Sequence, residues 1–275
     1  MAGGGVGIVG VLIFLALQFL GGGGAIDPSL LQPAGGGQVG QQPGETEQAQ
    51  LAERCNADGA LQQYTDCRLI KVFNIADDVW ATEFAARNLE YRSPYLAFFS
   101  DQVTTGGCGA ASAQVGPFYC PGDETMYFEL QFLQVLQDQF GAPGQFAQAY
   151  IVTHEFGHHL QTVLGTESQV RAQQQQDPDN ANQYAIALEL QADCYAGVWS
   201  KLADASEGDG IVLTEADVDE ALGAAEAVGD DRIQAKTSGQ VNPETWTHGS
   251  AEQRREWFQR GLSTGDMTQC DTFSG

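Results

Sequence analysis

A short histidine-rich segment carries the chain's clearest chemical signal. Three of its four histidines lie in the segment HEFGHH at positions 154–159. On a helix, His154 and His158 lie one turn apart and can bind one cation, while Glu155 reaches a metal-bound water. Glu155 is also the only charged residue, histidines aside, in the apolar stretch 145–164. Because burying such a carboxylate is costly without compensation, the pattern predicts a divalent metal, most simply a catalytic zinc.

A second segment offers the third ligand that a catalytic zinc site needs. Residues 185–199, AIALELQADCYAGVW, contain two charges, Glu189 and Asp193, spaced one helical turn apart. Alone, this pair would indicate a solvated helix stripe, but like charges on an apolar helix favour a cation opposite them. We predict that Glu189 binds the metal and that Asp193 accepts the outer ring N–H of His154. A metzincin site is excluded, because it requires Gly and His where this chain has Gln161 and Leu164.

The fourth histidine, His248, precedes a predicted helix. Ser250 and Gln253 have the spacing of a capping box, which places the helix start at Ala251 and His248 on the loop before it. A loop histidine in this position could donate a hydrogen bond to the oxyanion of a tetrahedral intermediate. It could equally be a half-exposed surface residue, and spacing alone leaves both interpretations open.

The elements that must position these residues indicate an α+β fold in which helices dominate. Aromatic and β-branched runs predict strands at 95–104 and 125–130, with a loop between Cys108 and Cys120. Acidic turns at 207–210 and 229–231 lack a calcium-loop pattern and are interpreted as solvated. Apolar periodicity and turn residues predict helices at 74–88, 131–140, 145–164, 182–202, 215–228 and 251–262.

The chain has six cysteines and no CxxC pair, and this even number is suited to three disulfides in an oxidising compartment. Short local loops favour Cys55 with Cys67 and Cys108 with Cys120. The remaining pair, Cys194 and Cys270, follows by elimination, although six cysteines allow about fifteen connectivities.

The amino-terminal region has a membrane-type composition. No charged residue occurs from 2 to 26, and residues 6–20 read VGIVGVLIFLALQFL. We expect residues 1–22 to be a transmembrane anchor or a signal segment, 23–50 a flexible Gly/Gln/Pro-rich tether, and 51–275 one globular domain. The domain would then lie on the extracytoplasmic side, anchored to the membrane, or be secreted if the segment is cleaved.

The net charge of the chain limits the classes of molecule that it can bind. Twelve Lys and Arg against 36 Asp and Glu give a formal net charge of −24. Such a surface repels phosphate, so nucleic acid is not expected as a partner.

Four segments together carry a resemblance to a known family. In chain order they are CGAASAQVGPFYCP, HEFGHHLQ, ELQADCYAGVW and THGSAEQR. Their sequences and order resemble those of the bacterial putative neutral zinc metallopeptidase family. The arrangement of His154, His158 and Glu189 is similar to that of gluzincins. THGSAEQR resembles the His-Pro-x4-Arg element of membrane-linked gluzincins such as the HtpX and CAAX-type proteases, with Gly249 in place of the proline.

The resemblance implies further roles and a fold. It implies a zincin-like domain in which His248 and Arg254 act in the site, Arg254 as a residue that supports the ligands. It also implies that the strand at 125–130 lines the cleft and pairs with an extended peptide.

The function predicted from the sequence is that of a zinc-dependent endopeptidase. One zinc per chain would activate a water, and Glu155 would serve as general base in the hydrolysis of a peptide or protein substrate. The competing class is a membrane-anchored binding or scaffold module that uses zinc for stability. A weaker enzyme alternative is an amidase acting on cell-wall peptides.

Overall fold

The computed structural model describes residues 45–130, 145–205 and 213–274. The predicted membrane segment 1–22, the tether up to residue 44, the predicted helix 131–140 and the acidic turn 207–210 lie outside these ranges. Within them, no helix has the length and apolar character needed to cross a membrane. The last residues of the predicted tether belong to the first described helix.

Helices dominate the part of the chain that the structure describes, which confirms the predicted α+β class. The helices are α1 (Glu45–Cys55), α2 (Ala60–Gln63), α3 (Thr65–Ala86), α4 (Gln145–Val163), α5 (Thr166–Gln176), α6 (Ala181–Ala205), α7 (Glu215–Ala227), α8 (Asp230–Thr237) and α9 (Ala251–Thr264).

Five short strands form two small sheets. They are β1 (Tyr95–Phe99), β2 (Gln102–Thr104), β3 (Ala110–Ser112), β4 (Phe118–Cys120) and β5 (Thr125–Glu129). β5 lies in the middle of the larger sheet, parallel to β1 and antiparallel to β4. β2 and β3 form a separate antiparallel pair.

The expectation that the strand at 125–130 pairs with a peptide is wrong. Both edges of β5 are already hydrogen-bonded, one to β1 and the other to β4. Among the described strands, none pairs with the outer edge of β4. An extended peptide could therefore add to β4 but not to β5.

Several predicted element boundaries are also corrected. The helix expected from residue 74 begins at Thr65, because an apolar stripe through Leu69, Ala76 and Trp80 packs into the core along its whole length. The single strand expected at 95–104 is two strands, broken where Asp101 adopts a φ of 62°. The loop expected between Cys108 and Cys120 contains β3 and β4. Helices α1, α2, α5 and α8 are not among the predicted helices.

A single large apolar core joins α3, α4, α6, α7 and α9. Its largest fully buried side chains include Trp80, Phe128, Phe156, Trp199 and Phe258. A smaller cluster around Phe118 and Tyr127, whose rings stack, fills the space under the β2–β3 hairpin. The helices that carry the predicted site residues therefore cross within the main core.

The three disulfides join the predicted pairs, Cys55–Cys67, Cys108–Cys120 and Cys194–Cys270. The first two span 12 residues each, whereas the third spans 76 and ties α6 to the carboxyl-terminal segment. The last bridge therefore restricts the unfolded chain most.

We predict that the two kinds of disulfide differ in their effect on stability. Loop-closure entropy gives about 4.5 kcal/mol for the Cys194–Cys270 bridge and about 2.8 kcal/mol for Cys108–Cys120. Urea unfolding of the two double alanine variants should show the larger loss for the pair at 194 and 270. Equal losses would contradict the loop-entropy account.

Candidate metal centre

Helix α4 presents two imidazoles and a carboxylate at one point of the core. The His154 and His158 rings lie 4.9 Å apart between centroids and almost perpendicular, at 89°. His154 and Glu155 are buried, and His158 is partly buried. The spacing of one helical turn therefore brings both rings to the same face, as the sequence predicts.

Glu189 of α6 faces both rings. Its Oε2 lies 3.2 Å from His154 Nε2, and its Oε1 lies 3.5 Å from His158 Nε2. One donor atom from each of the three residues lies within 4.8 Å of the others. A tetrahedral zinc site with bonds of about 2.0 to 2.1 Å separates its ligand atoms by about 3.3 to 3.4 Å. The three side chains thus have the spacing that a small divalent ion requires.

The close approach of α4 and α6 depends on Gly157, inside the HExxH segment. A Cβ at this position would lie 2.8 Å from Ala192 Cα and 3.0 Å from Ala192 Cβ. Any side chain larger than hydrogen would therefore push the two helices apart. The glycine between the two histidines lets Glu189 reach them.

Asp193 holds His154 from the side opposite Glu189. Its Oδ1 lies 2.8 Å from His154 Nδ1, so a ring N–H there leaves Nε2 free for a metal. Arg254 donates to both oxygens of Asp193, from Nε at 2.8 Å and from Nη2 at 3.0 Å. The Tyr150 hydroxyl donates to the same carboxylate. Asp193 and Arg254 thus have the supporting positions predicted for them.

His158 is held by an amide rather than a carboxylate. Gln161 Oε1 lies 2.9 Å from His158 Nδ1, and Gln161 Nε2 donates to the Leu188 carbonyl and to Gln191 Oε1. The sequence reasoning used Gln161 only to exclude a metzincin and missed this role. Its spacing, three residues after His158, is the signal that could have indicated it.

The site carries an excess of buried negative charge. Glu155, Glu189 and Asp193 are all buried, and Arg254 is the buried cation beside them. Histidines bind a metal in their neutral form, and in that form the three ionised carboxylates and one guanidinium give 1 − 3 = −2. In addition, Glu155 Oε2 and His158 Nε2 are buried without a hydrogen-bond partner. A zinc ion fits this donor set, because it would offset the charge and engage His158 Nε2.

Burial and neighbouring charges shift the pKa values of Glu155 and Glu189 in opposite directions. Burial raises the pKa of Glu155 above its ordinary value, although His158, His154 and the Tyr119 backbone N–H oppose this effect. Burial would also raise the pKa of Glu189, but the charges of His248, His158 and His154 lower it overall. Glu189 is therefore a ligand in its ionised form, whereas Glu155 is a carboxylate with raised proton affinity.

His248 lies on the loop before α9, as predicted. Ser250 and Gln253 form the expected capping box. The imidazole is buried, which excludes the half-exposed surface interpretation, and its charge lowers the pKa of Glu189. The remaining histidine, His159, faces away from the ligands and contacts the Arg92 carbonyl and the Tyr119 hydroxyl.

Comparisons with known proteins identify a family whose description names zinc. The family model described as "Putative neutral zinc metallopeptidase" matches residues 1–273. The uncharacterized protein Rv2575 of Mycobacterium tuberculosis H37Rv is 45% identical over 250 residues, which cover 87% of this chain and 82% of that protein. The uncharacterized protein YpfJ of Escherichia coli K12 is 44% identical over 198 residues, covering 72% and 67% respectively. No solved structure matches the chain.

We predict that Gly157→Ala weakens the metal site by separating α4 from α6. The added methyl should lower the free energy of unfolding by about 1 to 3 kcal/mol and zinc affinity by about tenfold or more. Competition titration with a zinc chelator and urea unfolding measure the two effects.

Gly223→Ala in α7 is the matched control, since a Cβ there would meet nothing within 4 Å. It should leave zinc affinity unchanged and stability equal or slightly higher. Parent-like zinc affinity in Gly157→Ala would show that the close helix contact is not needed.

Proposed function

The chain belongs to the putative neutral zinc metallopeptidase family, and from that premise we propose that it is a zinc-dependent endopeptidase. The observation that carries the proposal is the position of Glu155. This buried carboxylate has one oxygen without a partner, directly beside the convergent His154, His158 and Glu189. A site that served only stability would have no use for such a group.

The three ligands would hold one zinc per chain. When bound, the metal supplies Lewis-acid activation of water and of the scissile carbonyl. Asp193 and Gln161 contact Nδ1 of His154 and His158 and thereby leave Nε2 of each ring for the ion that these residues would hold. The chain therefore fixes the tautomer of both imidazoles before any substrate binds.

Glu155 acts as the general base and then as the general acid. Its unpartnered Oε2 accepts a proton from the attacking water, and it returns that proton to the leaving amine nitrogen. The raised pKa that burial gives this carboxyl suits both steps. Its position beside the Tyr119 backbone N–H puts the proton transfer next to strand β4.

His248 supplies a hydrogen bond to the developing oxyanion. Its ring is buried near Glu189, on the side of the site formed by the loop before α9. A fixed donor at this place favours the tetrahedral state over the planar peptide. An extended peptide or protein substrate would lie along the outer edge of β4, the strand whose Tyr119 backbone N–H contacts Glu155.

We extend the proposal to the cellular location. Three disulfides favour an oxidising compartment, and the apolar segment 1–22 would attach the domain to the membrane or direct its secretion. Peptide mapping without reductant, on protein from its native cell, tests this placement. Free thiols at all six cysteines would oppose it.

Glu155→Gln should abolish turnover while zinc remains bound, because the amide keeps the shape of the side chain but cannot accept the proton. We expect kcat on a quenched peptide or casein to fall by about 10² or more. Zinc content by metal analysis should stay near one per chain. His158→Ala is the comparison, and it should lose both zinc and activity. Parent-like cleavage by purified Glu155→Gln would refute the assignment.

Removing the metal should distinguish a zinc-dependent endopeptidase from a scaffold module that uses zinc only for stability. For an enzyme whose core is closed by packing and three disulfides, chelation should abolish cleavage and leave the circular dichroism spectrum nearly unchanged. A zinc-stabilised scaffold should instead unfold on chelation. Restored cleavage on adding zinc back completes the measurement.

A further inference from the structure

Asp230 is a buried carboxylate that the catalytic proposal does not use. It is the first residue of α8 and is 1% exposed, although the turn 229–231 was expected to be solvated. Its Oδ2 accepts the backbone N–H groups of Thr247, His248 and Gly249 at 2.7, 2.7 and 3.1 Å. Three N–H groups on one charged oxygen fix the conformation of the loop at 247–249.

The second oxygen of Asp230 faces the imidazole itself. Oδ1 lies 3.5 Å from His248 Nδ1, and the Thr247 hydroxyl lies 3.1 Å from the same nitrogen. Both contacts are on the Nδ1 side of the ring. Nε2 is therefore the nitrogen left for a substrate oxygen.

The loop is also held against the helix that carries Glu189. Asp230 N–H donates to the Gly249 carbonyl at 2.9 Å, and Gly249 has a φ of 86°. A Cβ on Gly249 would lie 3.3 Å from Ile186 Cγ2 and 3.4 Å from Leu190 Cδ2. The loop thus lies on α6 beside the ligand position.

We propose that Asp230 is a positioning residue, which holds the His248 imidazole through its ring nitrogen and its loop so that Nε2 donates to the oxyanion. This role rests on the proposed peptidase function. Asp230 does not touch substrate and acts only through His248. Its Oδ2 fixes the loop through the three backbone N–H groups, and its Oδ1 lies 3.5 Å from Nδ1, so that a proton on Nδ1 faces a carboxylate and Nε2 is directed at the substrate.

A double-mutant cycle between Asp230 and His248 tests the proposal. Asp230→Asn keeps an oxygen for the three backbone N–H groups but loses the negative oxygen that faces Nδ1. In the zinc-loaded full chain we expect kcat to fall by about 10- to 100-fold with KM within about twofold. In a His248→Ala background, the same change should cause no further fall. An equal loss in both backgrounds would show a purely structural role and overturn the proposal.

Asp231→Asn is the matched control. Asp231 also accepts a backbone N–H, that of Ala251 at 2.7 Å, but at the start of α9 rather than at the imidazole. Its replacement should leave kcat near that of the parent. If Asp231→Asn lowered kcat as much as Asp230→Asn, the effect would come from loop anchoring in general, and the proposal would fail.

A measurement independent of activity separates this proposal from the peptidase function. ¹⁵N NMR of the imidazoles in the parent chain should show His248 protonated at Nδ1, with a signal that shifts in Asp230→Asn and not in Asp231→Asn. An unprotonated Nδ1 in the parent would overturn the role of Asp230, even if Asp230→Asn fails to fold. If the NMR result is as expected but neither parent nor Glu155→Gln cleaves peptides, the peptidase proposal alone has failed.

Discussion

The close crossing of α6 with both α4 and α9 is the constraint on which the site depends. Gly157 lets α6 approach α4, and Gly197 and Gly261 do the same between α6 and α9, where an added Cβ would lie 2.0 Å from a backbone carbonyl oxygen. At these separations Glu189 on α6 reaches His154 and His158 on α4. Arg254 on α9 reaches Asp193, which lies one turn after Glu189 on α6. The metal ligands and their support thus follow from backbone packing.

The same packing buries more carboxylate charge at the site than the neighbouring arginine neutralises when the histidines are in their neutral, metal-binding form. Glu155, Glu189 and Asp193 are buried together, with Arg254 as the buried cation beside them. Removing such carboxylates from water costs several kcal/mol each unless opposite charge is close. A divalent ion would remove most of this imbalance at the point where the Nε2 atoms of both imidazoles converge on Glu189. Metal binding and stability are therefore coupled, without the ion having to create the fold.

The sequence could predict what depends on helical spacing within one segment. His154 and His158, Glu189 and Asp193, and the Ser250 capping box are pairs of this kind, and the structure places each as expected. The convergence of Glu189 and Asp193 on the two histidines was also predictable, because a catalytic zinc needs a third ligand, but other partners distant in sequence were not. Asp230 looks like part of a solvated turn until the loop at 247–249, 17 to 19 residues later, covers it. Likewise, the 108–120 segment reads as a loop because strands of three residues leave no periodicity, and only pairing with β2 and β5 defines them.

The two ligating histidines are supported in different ways, and the difference has a structural cause. His154 lies deeper, where the Asp193 carboxylate can be neutralised by the two hydrogen bonds from Arg254. His158 is only partly buried, and a second carboxylate there would add to the charge excess, because the nearby Arg171 is already paired with Glu167. A neutral amide avoids that cost while still fixing the ring. Gln161 is in turn held by Gln191, whose Nε2 donates to the Cys270 carbonyl at 2.9 Å. The carboxyl-terminal segment, tied to α6 by the Cys194–Cys270 bridge, therefore reaches the metal site through two buried amides.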